Sequence, residues 1–270
     1  MQKKVLRGVR KSKPLFIFML YAFLLSLLAG LSTSIGGLLP LFQKKVSSSF
    51  LCFSLGLSAG VMVYVSFMEI MPESIELLSQ NYSTRIAGLI ALGCFFLGMF
   101  FIALIDKVIP ENENPHEFGN EFSLQKMGLF SALVIAIHNF PEGLATFLSA
   151  YENPAQGISI AIAIALHNIP EGITVSAPIY HATGKKVKAF LMSLFSGLAE
   201  PLGALIGFIL IKSIFPSGIL SYVYAAVAGI MIYLSFDEIL PTAETYGRHH
   251  LVIWGVLLGM FIMGVSLALL

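Results

Sequence analysis

Eight long apolar runs take up most of this chain, and only short connections join them. They cover approximately residues 15–40, 47–71, 86–108, 123–149, 156–180, 187–213, 217–240 and 249–270. A bilayer core about 30 Å thick is crossed by roughly 20 apolar residues of helix, so each run is long enough to span it. Backbone polar groups in hydrocarbon must be satisfied internally, which leaves helices or closed barrels. Barrel strands alternate over about ten residues, whereas these runs are continuous and longer. Charged residues make up 11% of the chain, against about 25% in a soluble domain, which excludes soluble and disordered classes. A net charge of +1 excludes nucleic-acid binding by bulk electrostatics. Two isolated cysteines, Cys52 and Cys94, make neither a disulfide framework nor a thiolate cluster. The fold class is an all-α integral membrane protein with eight transmembrane helices, multi-pass in a cell membrane.

The first run follows a basic tail of Lys3, Lys4, Arg7, Arg10, Lys11 and Lys13, which has the look of a signal peptide. The run is long for a signal, however, and it shares in an internal repeat. Basic residues do not orient the chain. The tail and the loops on its side carry eight Lys/Arg in total, and the opposite loops carry eight, so the positive-inside rule is balanced.

The repeat organises the chain. Residues 59–72 (AGVMVYVSFMEIMP) match residues 228–241 (AGIMIYLSFDEILP) at nine of fourteen positions. Helix 2 is thus a copy of helix 7. Residues 23–36 of helix 1 align with 190–203 of helix 6, sharing Phe23/Phe190, Ser26/Ser193, Gly30/Gly197 and Gly36/Gly203. Leu97–Phe100 in helix 3 repeats as Leu258–Phe261 in helix 8. A shift of five helices is odd, so the copies enter the membrane in opposite senses, as in many secondary transporters. The expected layout is a 3+2+3 inverted repeat within one transmembrane domain over 1–270. It comprises a tail (1–14), helices 1–3 (15–108), a polar loop (109–122), helices 4–5 (123–180) and helices 6–8 (187–270).

The central pair carries the chemistry. Helix 4 reads IAIHNFPEG from Ile135 and helix 5 reads IALHNIPEG from Ile164, identical at seven of nine positions. Ionisable groups in mid-membrane cost several kcal/mol each and are functional by default. No Lys or Arg lies in the middle of the runs to compensate them, so the missing countercharge is a cation. His138 and Glu142 stand four residues apart, and Asn139 and Glu142 three, so each pair shares a helix face. The same holds for His167, Asn168 and Glu171. Facing helices then give two adjacent sites: His138, Glu142, His167 and Glu171 in one, Asn139, Glu142, Asn168 and Glu171 in the other. Pro141 and Pro170 free the carbonyls of Ile137 and Leu166 at the same depth, and Gly143 and Gly172 permit close helix approach. Imidazole, carboxylate and amide without thiolate suit Zn(II), Fe(II), Mn(II), Co(II) or Ni(II), and argue against Cu(I). The metal is expected as cargo, with no prosthetic group.

Three further acidic positions stand out, Glu200 within helix 6 and Glu69 and Glu238 near the ends of helices 2 and 7. Glu200, before Pro201 in helix 6, is a candidate to complete the second site. Glu69 and Glu238, each three residues before a proline, are candidates for a permeation pathway, as is Asp237 more weakly. The loop PENENPHE from Pro110 to Glu117, with His116, reads as a solvated linker.

These residues resemble the ZIP (Zrt/Irt-like) family of divalent metal transporters, and in particular its ZupT-type bacterial branch. The resemblance runs along essentially the whole chain and rests on the eight helices and the paired HNFPEG and HNIPEG motifs. It implies import of zinc, and often iron, manganese or cobalt with cadmium as a mimic, toward the cytoplasm of a bacterial inner membrane. It implies that His138, Asn139, Glu142, His167, Asn168, Glu171 and Glu200 are ligands of a two-metal site. It also implies extracytoplasmic termini, a homodimer, and motion of helices 1, 4, 5 and 6 against 2, 3, 7 and 8. The chain departs from the family in a short, histidine-poor loop between helices 3 and 4, and in its basic tail. Two other readings are a metal-gated channel or sensor and an intramembrane metallohydrolase. The hydrolase lacks a His-Glu-x-x-His motif and a base distinct from the ligands. No Walker-type run is present, so no ATP-driven step is expected.

Overall fold

The computed structural model describes residues 15–108, 121–152, 154–211 and 219–269. The basic tail and the polar loop with His116 lie outside the described residues. Among the described residues, eight helices are long and apolar enough to cross a membrane: α1 Ile17–Phe42, α2 Ser48–Ser79, α3 Thr84–Ile105, α4 Gly128–Leu148, α5 Ile160–Thr183, α6 Lys186–Ile206, α7 Ser221–Glu244 and α8 His249–Leu269. Among the described residues there is no strand. Leu97, Phe100, Trp254 and Phe261 project outward from α3 and α8. Such apolar faces are stable against lipid and would be costly in water.

Local chemistry explains where these helices begin and bend. Ser47 caps α2, its hydroxyl accepting from the Phe50 amide at 3.2 Å. The helix then runs eight residues beyond the sequence-predicted end at 71. It passes through a widened π turn, Ser66–Ile70, just before Pro72. The matching turn in α7, Leu234–Ile239, precedes Pro241. Proline cannot donate to the carbonyl four residues back and clashes with it, and a wider turn relieves both problems. Ser66 and Ser235 hydroxyls each donate to the carbonyl four residues earlier, at 2.7 and 2.8 Å. α4 and α5 lie within longer helices, Glu121–Glu152 and Pro154–Thr183, that run unbroken through Pro141 and Pro170. α6 is interrupted at Leu198, so Glu200 sits in the first turn of its second segment, Ala199–Ile211.

Packing sorts the helices into two groups. α1 lies on α5, and α4 lies on both α5 and α6; separately, α2 lies on α8 and α3 on α7. The groups meet chiefly where α2 crosses α5, and the Thr174 hydroxyl donates to that of Ser58 at 2.7 Å there. α5 is the most enclosed, with 72% of its central residues buried, against 22% in α3 and α8. Glycines set the closest approaches. A Cβ on Gly60 would overlap the Val256 carbonyl oxygen, and one on Gly229 the Phe95 carbonyl oxygen. One on Gly172 would overlap the Thr33 carbonyl oxygen, and one on Gly143 that of Glu200. Each contact becomes the other when residues are exchanged by the sequence repeat. Gly30 and Gly197, themselves repeat partners, meet each other, each facing the other's carbonyl oxygen.

Candidate metal site

The paired motifs meet in the interior of the bundle. Asn139, Asn168, Glu171 and Glu200 are fully buried, and His167 and Glu142 nearly so, at 2% and 4% exposure. α4 and α5 are adjacent and joined by a very short connection, so the two copies face each other in opposite sense. Nε2 of His167 lies 3.4 Å from Oε2 of Glu142, which is the first of the cross-helix pairs expected from sequence. The asparagines are held by their amide nitrogens. Asn139 donates to the Ser196 carbonyl at 3.4 Å and Asn168 to the Ala29 carbonyl at 3.0 Å. These two bonds are again exchanged by the repeat. Asn168 also donates to Oε1 of Glu200, which brings the α6 carboxylate into the cluster.

With the nitrogens engaged, the amide oxygens point elsewhere. Oδ1 of Asn139, Oδ1 of Asn168, Oε2 of Glu200 and Nδ1 of His167 are buried with no hydrogen-bond partner among the described residues. A buried acceptor left unsatisfied costs roughly 1–3 kcal/mol, more if charged. Several converging acceptors are the chemistry of a cation site. His138 lies in α4, but its side chain is outside the described residues. Among the described residues no three His, Cys, Asp or Glu side chains are grouped closely enough to hold a metal by themselves. The described portion therefore offers an imidazole–carboxylate pair, Glu142 and His167, beside an oxygen cluster of Asn139, Asn168 and Glu200.

Glu142 and His167 also line a cavity of about 40 Å³, large enough to hold water or a cation. Glu69 from the π turn of α2 lines it too, so this pathway candidate reaches the pair. Its repeat partner Glu238 is fully buried in the α7 π turn and does not line that cavity. Glu73 and Tyr224 complete the polar lining, and sequence reasoning missed both. A helix boundary at 71 excludes Glu73, although its i+4 spacing from Glu69 was a usable signal. Tyr224 belongs to no motif, and only packing brings it there.

Eight apolar helices closing around buried carboxylates, amides and an imidazole define a polytopic membrane protein with a polar centre suited to cations. The description "ZIP Zinc transporter" belongs to the family model that matches residues 16–117 and 111–267, and the chain belongs to that family. Similar proteins named Zinc transporter ZupT bear this out. The one from Chlorobium chlorochromatii (strain CaD3) is 52% identical over 261 residues, covering 93% of this chain and 97% of its own. That of Clostridium perfringens (strain 13 / Type A) is 50% identical over 273 residues, covering 93% and 96%. That of Nitratidesulfovibrio vulgaris is 47% identical over 268 residues, covering 93% and 97%.

Proposed function

We propose that this chain carries divalent transition-metal cations, chiefly zinc, across a bacterial inner membrane toward the cytoplasm. The ligands are His138, Glu142, His167 and Glu171 at one position and Asn139, Asn168 and Glu200 beside it, with the two central glutamates shared. The observation that carries this reading is the Glu142–His167 pair at 3.4 Å, set on a small cavity inside a bundle of membrane-spanning length. The same two residue types at 3.4 Å can turn from each other to a cation between them, since carboxylate oxygen and imidazole nitrogen are both good ligands for zinc. Family membership and relatives named as zinc transporters support the cargo. Iron, manganese, cobalt and cadmium are proposed as competitors on ligand type alone.

A cation reaches the pair through the cavity lined by Glu69 and Glu73, whose charges raise its local concentration. It exchanges water for carboxylate and imidazole at Glu142 and His167. Metal and protons compete for those groups, so binding releases protons. The helix packing falls into α1, α4, α5 and α6 against α2, α3, α7 and α8. Sliding of one group on the other across the α2–α5 contact would expose the centre to the second face. No chemical step on the cargo is required, and the chain is proposed to be a carrier and not a hydrolase.

Zinc flux into proteoliposomes tests this, with His138→Ala/Glu171→Ala alongside. Saturable uptake that vanishes in the double variant is expected. Flux that does not saturate indicates a channel. Zinc bound tightly without flux, and lost in the same variant, indicates a sensor.

A further inference from the structure

We propose that the Thr33 hydroxyl is a further oxygen ligand of the second cation position, opposite Glu200. The inference rests on the reading of α4 and α5 as a cation site and deepens it. Thr33 is fully buried, and its Oγ1 has no hydrogen-bond partner among the described residues. A threonine inside a helix commonly turns its hydroxyl back to a carbonyl one turn earlier. Thr146 does so to Glu142 at 3.0 Å and Thr183 to Ile179 at 2.6 Å. Thr33 does not make that bond: the Ala29 carbonyl one turn before it already accepts from the Ser32 hydroxyl at 2.6 Å and from the Asn168 amide at 3.0 Å, which leaves the Thr33 hydroxyl free to serve another partner. A buried hydroxyl without a protein partner calls for an explanation, and a place in a cation's coordination is one.

Its position says which ligand. The alignment of 23–36 with 190–203 makes Thr33 the repeat partner of Glu200. The structure bears the pairing out in space. α1 and α6 cross at Gly30 and Gly197, with Glu200 Cβ 3.1 Å from where a Gly30 Cβ would stand and Thr33 Cβ 2.9 Å from where a Gly197 Cβ would stand. The two residues thus flank one crossing from opposite sides. The asparagine amides are tied to the residues just before the same glycines, Ala29 and Ser196. Four buried oxygens without partners therefore gather around the crossing: Asn139 Oδ1, Asn168 Oδ1, Glu200 Oε2 and Thr33 Oγ1.

This set differs in kind from the Glu142–His167 pair. It is oxygen only, and apart from the shared Glu142 and Glu171 it carries one carboxylate at the α1–α6 crossing, Glu200, where a strict repeat would have two. A hydroxyl in place of the second carboxylate completes the coordination of a divalent cation without adding another buried charge. The position accordingly suits a harder ion, such as Mn(II), as well as Zn(II).

Titration calorimetry of the purified full-length protein with zinc, and separately with manganese, tests the inference. Wild type is compared with Thr33→Val, which keeps the shape and removes the hydroxyl, with Thr33→Ala, and with Thr33→Ser, which restores it. Two binding events are expected in wild type. In Thr33→Val the weaker one should fall at least about ten-fold in affinity while the tighter one is unchanged. The metal-free melting temperature should hold or rise, because an unsatisfied hydroxyl has gone, and Thr33→Ser should bind as wild type does. If Thr33→Val does not fold, Thr33→Ala carries the same expectation. A single binding event in wild type overturns the inference, as does an unchanged weaker event in Thr33→Val or failure of Thr33→Ser to restore it. No binding in wild type at all overturns the cation reading of α4 and α5 itself.

Discussion

At the scale of single residues, the centre is built from groups that water would otherwise solvate. Glu142 is the most informative of them, because it stands against His167 from the neighbouring helix and also lines the cavity. Glu142→Gln keeps the shape and removes the charge. It should raise the zinc concentration for half-maximal uptake at least about ten-fold, with protein yield and melting temperature maintained. Uptake kinetics in proteoliposomes measure this, and full uptake by Glu142→Ala would sink the assignment. Glu69 lines the same cavity from the π turn of α2. Glu69→Gln should slow uptake at low zinc and low salt while leaving equilibrium zinc binding near wild type, because its charge attracts the ion more than it holds it. Both roles rest on position. The motif spacing already placed Glu142 on the face of His138 and Asn139, whereas the reach of Glu69 to the cavity depends on the π turn that turns its side chain inward.

At the scale of elements, glycine spacing decides how near the helices come. The α2–α8 and α3–α7 contacts both have a glycine opposite a backbone carbonyl, at Gly60 and Gly229. Gly229→Val would force α7 away from Phe95 on α3 and should destabilise the bundle by about 1–3 kcal/mol, read as a lower melting temperature in detergent with zinc affinity per folded molecule kept. Gly143→Val acts at a different place. It pushes the Glu200 backbone away from α4, so zinc binding should weaken along with stability. The contrast between these variants separates packing far from the centre from packing that positions ligands. Prolines and serines in the repeat foretell the two π turns in hindsight, because both copies carry Ser and Pro six residues apart. The extension of α2 to Ser79 was not legible, since MPESIELLS reads as a polar exit from the membrane until it is seen packed on α3 and α7.

At the scale of the whole molecule, two helix groups touch across α2 and α5, where Ser58 and Thr174 hydroxyls are 2.7 Å apart. A Ser58→Cys/Thr174→Cys pair, in a background with Cys52 and Cys94 replaced, is close enough to oxidise to a disulfide. Oxidation should stop zinc flux while zinc binding persists, and reduction should restore flux. Flux unaffected by the crosslink would mean that the groups do not slide there. The proton competition inherent in carboxylate and imidazole ligands gives a second expectation for the assembled carrier. Apparent zinc affinity should fall as external pH is lowered, by up to about ten-fold per pH unit for each proton displaced. Uptake measured over a pH series checks the sign.

Length and polarity of the runs determined that this chain is eight membrane helices, because hydrocarbon tolerates few alternatives for the backbone. The doubled motif determined which residue types face one another, because helical spacing is rigid and a duplicated pattern fixes corresponding faces. Tertiary structure alone decided which of the duplicated groups act differently. Glu69 lines the cavity and Glu238 does not, and Thr33 stands where the repeat has Glu200, with its hydroxyl bare. Sequence symmetry treats such partners as equals. Packing distinguishes them, since a cavity and an unsatisfied atom arise only from how distant helices close around the same space.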